Sequence, residues 1–269
     1  MVDGRPPATA RPQGAEAGVT RRGMLGACAL GTVLLMAGCG GKSESAGTYY
    51  EGHQSDIRSD FEALLPAMRR RLSAVHGEAM AGDAIAGARR RADSLLPKVP
   101  YIGGSANELT TNLYQSAMAL AIHQEMKARE RPASETAEVI YRAFGDYLAE
   151  WPQAPLLKAT GIVMRVARPR SSHVASSQYD WTCSDVAGDG TTFDWGVDYA
   201  QCGICTYLRE HEAEDLLPYM CLLDFPVFKA MGVGLERTRT IARGNRTCDF
   251  RHNFDGRYHA EWEPFDLGL

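Results

Sequence analysis

Four cysteines gathered in the last third of the chain, Cys202, Cys205, Cys221 and Cys248, constrain what it can become more than any other feature. Asp224, Arg237, Thr238, Gly244 and Phe250 lie in the same stretch, from Tyr199 to His252. So many soft ligands or nucleophiles in one place point to a site. The residue types leave three kinds open: a thiol enzyme, a metal centre or a pair of disulfides.

Local patterning places these residues on distinct elements. Thr191 to Tyr199 pairs with Tyr179 to Val186 across Gly188-Asp189-Gly190 as two strands, with Trp195, Val197 and Tyr199 sharing a face. Cys202-Gly203-Ile204-Cys205 follows where strand gives way to helix, and backbone N–H groups at a helix start favour a thiolate. Leu217, Cys221 and Asp224 fall on one side of a further helical piece that Pro226 is expected to end. Leu235 to Arg243 and Arg246 to Phe254 read as a hairpin about Gly244-Asn245, with Cys248, Phe250, His252 and Phe254 alternating onto one face.

The preceding half reads as helical. Ile57, Phe61, Leu64, Leu65, Met68, Leu72 and Val75 recur at three- and four-residue steps within 56–96, which Gly77, Gly82 and Gly87 are expected to weaken or split. Arg69-Arg70-Arg71 and Arg89-Arg90-Arg91 would sit about 200° apart on a continuous helix, which favours solvated faces over a phosphate-binding surface. Ser105 and Glu108 have the spacing of a capping box and predict a helix carrying Leu109, Leu113, Met118, Leu120, Ala121 and Met126. His123, in that helix, reads as a core or interfacial histidine. Ser134 opens another helix, ended by Trp151-Pro152. Gly161 to Ala167, with Ile162, Met164 and Val166 alternating, predicts a strand. With 45% apolar and 23% charged residues, the whole reads as one α+β domain, 55–269, whose helical part (55–155) packs on an antiparallel-sheet part (156–269).

The first 38 residues read as an address. Arg21 and Arg22 stand directly before an apolar run of roughly 14 residues, short of the roughly 20 needed to span a membrane. A basic front and a small-residue end are those of an export signal, and the arginine pair is the twin-arginine form used in bacteria. Met36-Ala37-Gly38-Cys39 resembles a lipoprotein processing site, so Cys39 is expected to carry lipid on the outer face of the cytoplasmic membrane, with residues 39–54 as a flexible tether. Removing residues 1–38 takes away four arginines and two carboxylates, which moves the net charge from −4 to −6. An acidic domain of this kind is not a nucleic-acid binder.

Tyr199, the CGIC segment, Cys221-x-x-Asp224, Leu235-Glu236-Arg237-Thr238-x-Thr240-Ile241-Ala242-x-Gly244 and Cys248-Asp249-Phe250-Arg251 together resemble the L-2-amino-thiazoline-4-carboxylic acid hydrolase family. Pro100-Tyr101-Ile102-Gly103-Gly104 resembles its helical front, and the sheet part also resembles small-ligand-binding α+β domains of the vinyl-reductase type. The resemblance implies opening of a cyclic amidine by water to give a carbamoylated cysteine, an expected cleavage of a non-peptide C–N bond in a small-molecule substrate.

In a thiol mechanism Cys221 or Cys202 is the nucleophile, Asp224 the proton carrier and Arg237 the fork for a substrate carboxylate, with Thr238, Cys248 and Phe250 also against the substrate. In a metal mechanism Cys202, Cys205, Cys221 and Cys248 hold zinc or another metal. Outside the cytoplasm the five cysteines left after processing also allow two disulfides with Cys183 unpaired. The competing class is an exported ligand-binding or sensor lipoprotein without catalysis.

Overall fold

The computed structural model describes residues 45–151, 154–167 and 172–255. The arginine pair, Cys39, the apolar leader and the tail from Tyr258 onward lie outside the described residues.

Helix α1 runs Ala46–Leu95 and is two helical arms joined at Gly77, whose φ of 81° and ψ of 162° take the backbone out of the helical region. A side chain disfavours that positive φ, so glycine makes the bend cheap. The split therefore occurs at the first of the three expected glycines. The first arm begins at Ala46, ten residues ahead of the expected start, and buries Tyr50. The bend also removes the continuous helix on which the 200° separation of the arginine runs rested. Those arginines are paired with acids: Arg69 with Glu78, Arg70 with Glu150, Arg71 with Asp146, Arg89 with Glu62 and Arg91 with Glu125.

Helix α2 (Thr110–Lys127) and helix α3 (Ala133–Glu150) pack on α1 through one apolar core that includes Leu65, Met68, Leu72, Leu113, Leu120 and Ile140. The expected capping box does not open α2. Asn107 does the local work instead: its Oδ1 accepts from the Leu109 amide at 3.0 Å, and its Nδ2 donates to the Ile102 carbonyl at 2.8 Å.

Residues 161–167 are not a strand but the end of helix α4 (Ala154–Ala167). Its buried positions, Leu157, Gly161 and Met164, follow helical spacing, while Ile162 and Val166, 62% and 82% exposed, face outward. The β-branched residues that suggested a strand are the solvent-facing ones, and the inward glycine lets α4 approach the Met231 backbone so closely that a Cβ would lie 2.0 Å from its carbonyl oxygen.

Strands β1 (Thr182–Ala187), β2 (Trp195–Gln201), β3 (Gly234–Glu236) and β4 (Cys248–Asn253) form an antiparallel sheet in the order β1-β2-β4-β3. The chain is thus α+β, a helical half followed by a four-stranded sheet. Between β2 and β3 run helices α5 (Gly203–Glu210), α6 (Leu217–Met220) and α7 (Asp224–Met231), the last two joined by a 3-10 turn, Cys221–Leu223. Pro226 sits in the first turn of α7, where its missing N–H costs no helical bond, so it does not end the helix. The expected hairpin is also corrected: only Gly234–Glu236 pairs with β4, and the chain then makes a loop with a 3-10 turn, Ile241–Arg243, before returning.

One buried carboxylate fastens the helical half to the sheet. Asp180, fully buried, accepts from Asn107 Nδ2 (2.9 Å), the Ser176 amide (2.8 Å), the Trp181 amide (2.8 Å) and His173 Nε2 (3.0 Å). These bonds hold its carboxyl below the usual carboxylate range, against burial, which pushes the other way. Asp180→Asn turns one acceptor oxygen into a donor facing these N–H groups; it is expected to lower stability by about 2 kcal/mol, read as a fall in the thermal midpoint. An unchanged midpoint would show that the clasp is dispensable.

Candidate active site

Alternation along the two inner strands builds the floor of a cavity. Trp195, Val197 and Tyr199 on β2 lie directly across from His252, Phe250 and Cys248 on β4, and all six face the same space. Their rings pack on one another: Tyr199 meets Phe250 edge-on at 5.1 Å and Trp195 stacks on His252 at 4.9 Å. Helix α2 contributes Leu109 and Asn112 at its start, α5 brings Cys202, Ile204 and Cys205, and the α6–α7 segment brings Leu217, Met220, Cys221, Asp224 and Phe228. The space is partly enclosed and partly open to solvent.

Inside this mostly apolar lining sits an ion pair. Arg237, following β3, donates from its Nη1 to Asp224 Oδ2 at 2.6 Å and from Nη2 to the Cys221 carbonyl, and its guanidinium lies 4.8 Å from the Phe250 ring centre and 5.3 Å from that of Phe225. The Arg237 side chain is 3% exposed and that of Asp224 12%. Burial pushes the Asp224 carboxyl upward while the guanidinium beside it pulls the other way.

The loop that presents Arg237 is fixed from behind by Asp249, which accepts from the Thr238 amide (3.0 Å), the Thr238 hydroxyl (2.6 Å) and the Arg239 amide (2.6 Å). Thr238 is therefore held in this clamp and is not among the residues lining the cavity.

Residues 111–252 match the L-2-amino-thiazoline-4-carboxylic acid hydrolase family, more than half of the chain and every cavity residue except Leu109. The chain belongs to that family. No curated protein and no solved structure matches it. The family match begins at Thr111, so the Pro100–Gly104 segment lies ahead of it.

Of the residues expected at a family site, Cys202, Cys205, Cys221, Asp224, Arg237, Cys248 and Phe250 come together. Three states were left open for the cysteines. No disulfide joins Cys183, Cys202, Cys205, Cys221 and Cys248, so the two-disulfide arrangement is not formed. Among the described residues no three His, Cys, Asp or Glu side chains are grouped so that they could hold a metal ion, so the four cysteines do not fit the zinc arrangement.

Nor is a thiolate set up by the start of α5. The Ile204 and Cys205 amides do approach the Cys202 sulfur and favour its ionised form, but the hydrogen bond with the Cys205 thiol, together with burial, outweighs them and leaves Cys202 well above the usual thiol range. Burial likewise pushes Cys221 up to about 12, against Arg237, and Cys248 to about 11. The glycine of CGIC serves packing: a Cβ at Gly203 would lie 1.9 Å from the Tyr179 carbonyl oxygen.

Two cavity groups go beyond the cysteine motif. His252 has its Nδ1 against the Gly234 carbonyl at 3.2 Å. A carbonyl only accepts, so Nδ1 carries the proton and Nε2 keeps a lone pair; burial, which pushes the imidazole down to about 3, keeps it neutral. Asn112 was not anticipated at all, although an asparagine within the apolar stripe of α2 was the available signal.

Because Cys202, Cys221 and Cys248 titrate high in the fold, raising the pH should increase their reactivity with no plateau near the ordinary thiol value. Alkylation of the native protein is expected to be slow at pH 7 and to quicken by about tenfold per pH unit through pH 10, while the unfolded chain levels off about a unit above pH 8.5. Fast, pH-independent labelling of one cysteine between pH 7 and 9 would show an activated thiolate instead.

Proposed function

We propose that this protein is a hydrolase that opens a cyclic amidine carrying a carboxylate, of the 2-amino-thiazoline-4-carboxylate kind, in the cavity between the sheet and α2. The observation that carries the reading is the Asp224–Arg237 pair buried in an apolar cavity. A 2-amino-thiazoline-4-carboxylate is itself a zwitterion once its amidine is protonated. Its amidinium is the counterpart of Asp224 and its carboxylate the counterpart of Arg237, whose guanidinium keeps further N–H donors beyond the two used. A low-dielectric lining strengthens both attractions relative to water.

Protonation makes the amidine carbon electrophilic, and Asp224 is the group that takes up and returns the proton. Cys221, one helical turn before Asp224, is the nucleophile. Its high pKa means that it must lose its proton as it attacks, not beforehand. The tetrahedral carbon expels a ring atom, and the sulfur leaves more readily than nitrogen because a thiol is the stronger acid. This moves the expected cleavage from the C–N to the C–S bond. Water then releases Cys221: its oxygen becomes the carbonyl of a urea, one proton ends on the product thiol and the other on the ring nitrogen.

The neutral thiols favour one alternative, a binding protein that holds the same ligand without covalent chemistry. Turnover separates the two. Incubation with 2-amino-thiazoline-4-carboxylate is expected to release one thiol per ligand, with Cys221→Ser and Asp224→Asn each lowering kcat by about 100-fold or more and Cys205→Ser having far less effect. Binding without thiol release would leave the sensor reading; full activity in Cys221→Ser would make water the direct nucleophile.

We also propose that the protein is exported through the twin-arginine route and lipid-anchored at Cys39, supported by Arg21-Arg22, the short apolar run and the small residues ahead of that cysteine. Among the described residues no helix is long and apolar enough to cross a membrane. Cys39→Ala is expected to move the protein from the membrane fraction to the soluble one and to abolish the mass added by lipid. Unchanged fractionation and mass would remove the anchor.

A further inference from the structure

Helix α2 buries several polar side chains, and most of them lie against partners within the helical half or the neighbouring loop. Thr110 Oγ1 donates to the Gly104 carbonyl at 3.0 Å, Ser116 Oγ donates to the Leu113 carbonyl at 2.7 Å, Glu125 is paired with Arg91 and Arg129, and His123 lies 3.1 Å from the Asp215 carboxylate. Asn112 differs from these in its surroundings. It is 8% exposed and lines the cavity, so its carboxamide borders the space a ligand would fill. A carboxamide at the edge of a mostly apolar space is best satisfied by a polar group of whatever enters it.

The cavity's two charged side chains show what is left for a neutral group such as Asn112 to bind. Asp224 and Arg237 meet the two charges of a zwitterionic ligand, as argued above, and they come from the α7 and β3 side of the space. Asn112 comes from the helical half, on α2. A carboxamide carries no charge, and it offers one accepting oxygen and one N–H₂ donor. The ligand group suited to it is polar, planar and not already claimed by an ion. On a cyclic amidine that group is the exocyclic amino nitrogen, which has two N–H bonds while a carboxylate beside it can take only one of them.

We infer that Asn112 is the specificity residue for the exocyclic amino group of the substrate, its Oδ1 accepting the N–H that Asp224 does not take. The inference rests on the cyclic-amidine reading of the site and adds to it the residue that distinguishes a 2-amino ring from the same ring without that nitrogen. Discrimination of this sort is steep, because a ligand lacking the N–H leaves a buried acceptor unpaired. Asn112 is thus assigned to binding and not to bond breaking.

The test uses two ligands on the full-length chain, 2-amino-thiazoline-4-carboxylate and its 2-methyl analogue, with wild type, Asn112→Leu and Asn112→Ser. Binding is followed by calorimetry and turnover by thiol release. Wild type is expected to prefer the amino ligand. Asn112→Leu should weaken the amino ligand by about tenfold or more through KM, with little change in kcat, while leaving the methyl analogue's affinity within about twofold or improving it. Retained binding of the methyl analogue also shows that the variant is folded; if Asn112→Leu does not fold, Asn112→Ser carries the same comparison.

Equal losses for both ligands would mean that Asn112 serves packing alone and would overturn the inference while leaving the hydrolase reading intact. Selective loss of amino-ligand binding in a protein with no turnover would uphold Asn112 and overturn the hydrolase. Failure of wild type to bind either compound would overturn both.

Discussion

The Asp224–Arg237 pair is the interaction on which the rest of the site depends. Two opposite charges taken out of water are costly, and either one alone in this cavity would be costlier still. The structure holds them together from several directions. Phe225 and Phe250 flank the guanidinium, the Cys221 carbonyl takes a second of its N–H groups, and Asp249 fixes the loop that follows it. A pair tied this firmly is a poor choice for stability alone, since apolar residues of the same volume would pack the space without a desolvation cost. Its value lies in presenting both signs of charge to one small volume with little room for water.

What surrounds that pair is a product of period-two geometry. Because β2 and β4 are neighbours in register, three rungs of side chains, Trp195–His252, Val197–Phe250 and Tyr199–Cys248, are laid side by side on the face that looks into the cavity. The opposite face carries a different chemistry, including the Arg251–Asp198 ion pair at 2.8 Å and the Asp249 clamp. One strand, β4, therefore contributes lining residues from one set of positions and loop-fixing residues from the other. Asp249 matters to the site without touching what the site holds.

The fold class and the placement of Cys202, Cys221, Asp224, Arg237 and Cys248 around one space were legible because each depends on local rules: alternation on β2 and β4, a helix start after a strand, three-residue spacing between Cys221 and Asp224. Three kinds of statement were not legible. Residues 161–167 read as a strand because β-branched side chains favour strands, yet burial and not propensity decided the outcome, with Gly161 against Met231. The ionisation of the thiols depends on burial and on the neighbouring Cys205 thiol, neither of which spacing reveals. The roles of Asp180 and Asp249 depend on amides and side chains that no periodicity singles out, and that of Asn112 on the cavity it borders.

The strand order has a bearing on how the molecule is made. The two inner strands of the sheet are β2 and β4, and β4 is the last strand among the described residues, separated from β2 by three helices and an edge strand. During synthesis β2 must wait with one edge unpaired until nearly all of this stretch has emerged, and nothing upstream can stand in for the missing partner. A chain interrupted anywhere before Cys248 would leave that edge and its row of apolar side chains bare, a template for pairing with another unfinished copy. Quality of assembly for this protein is thus decided late, by the arrival of six residues.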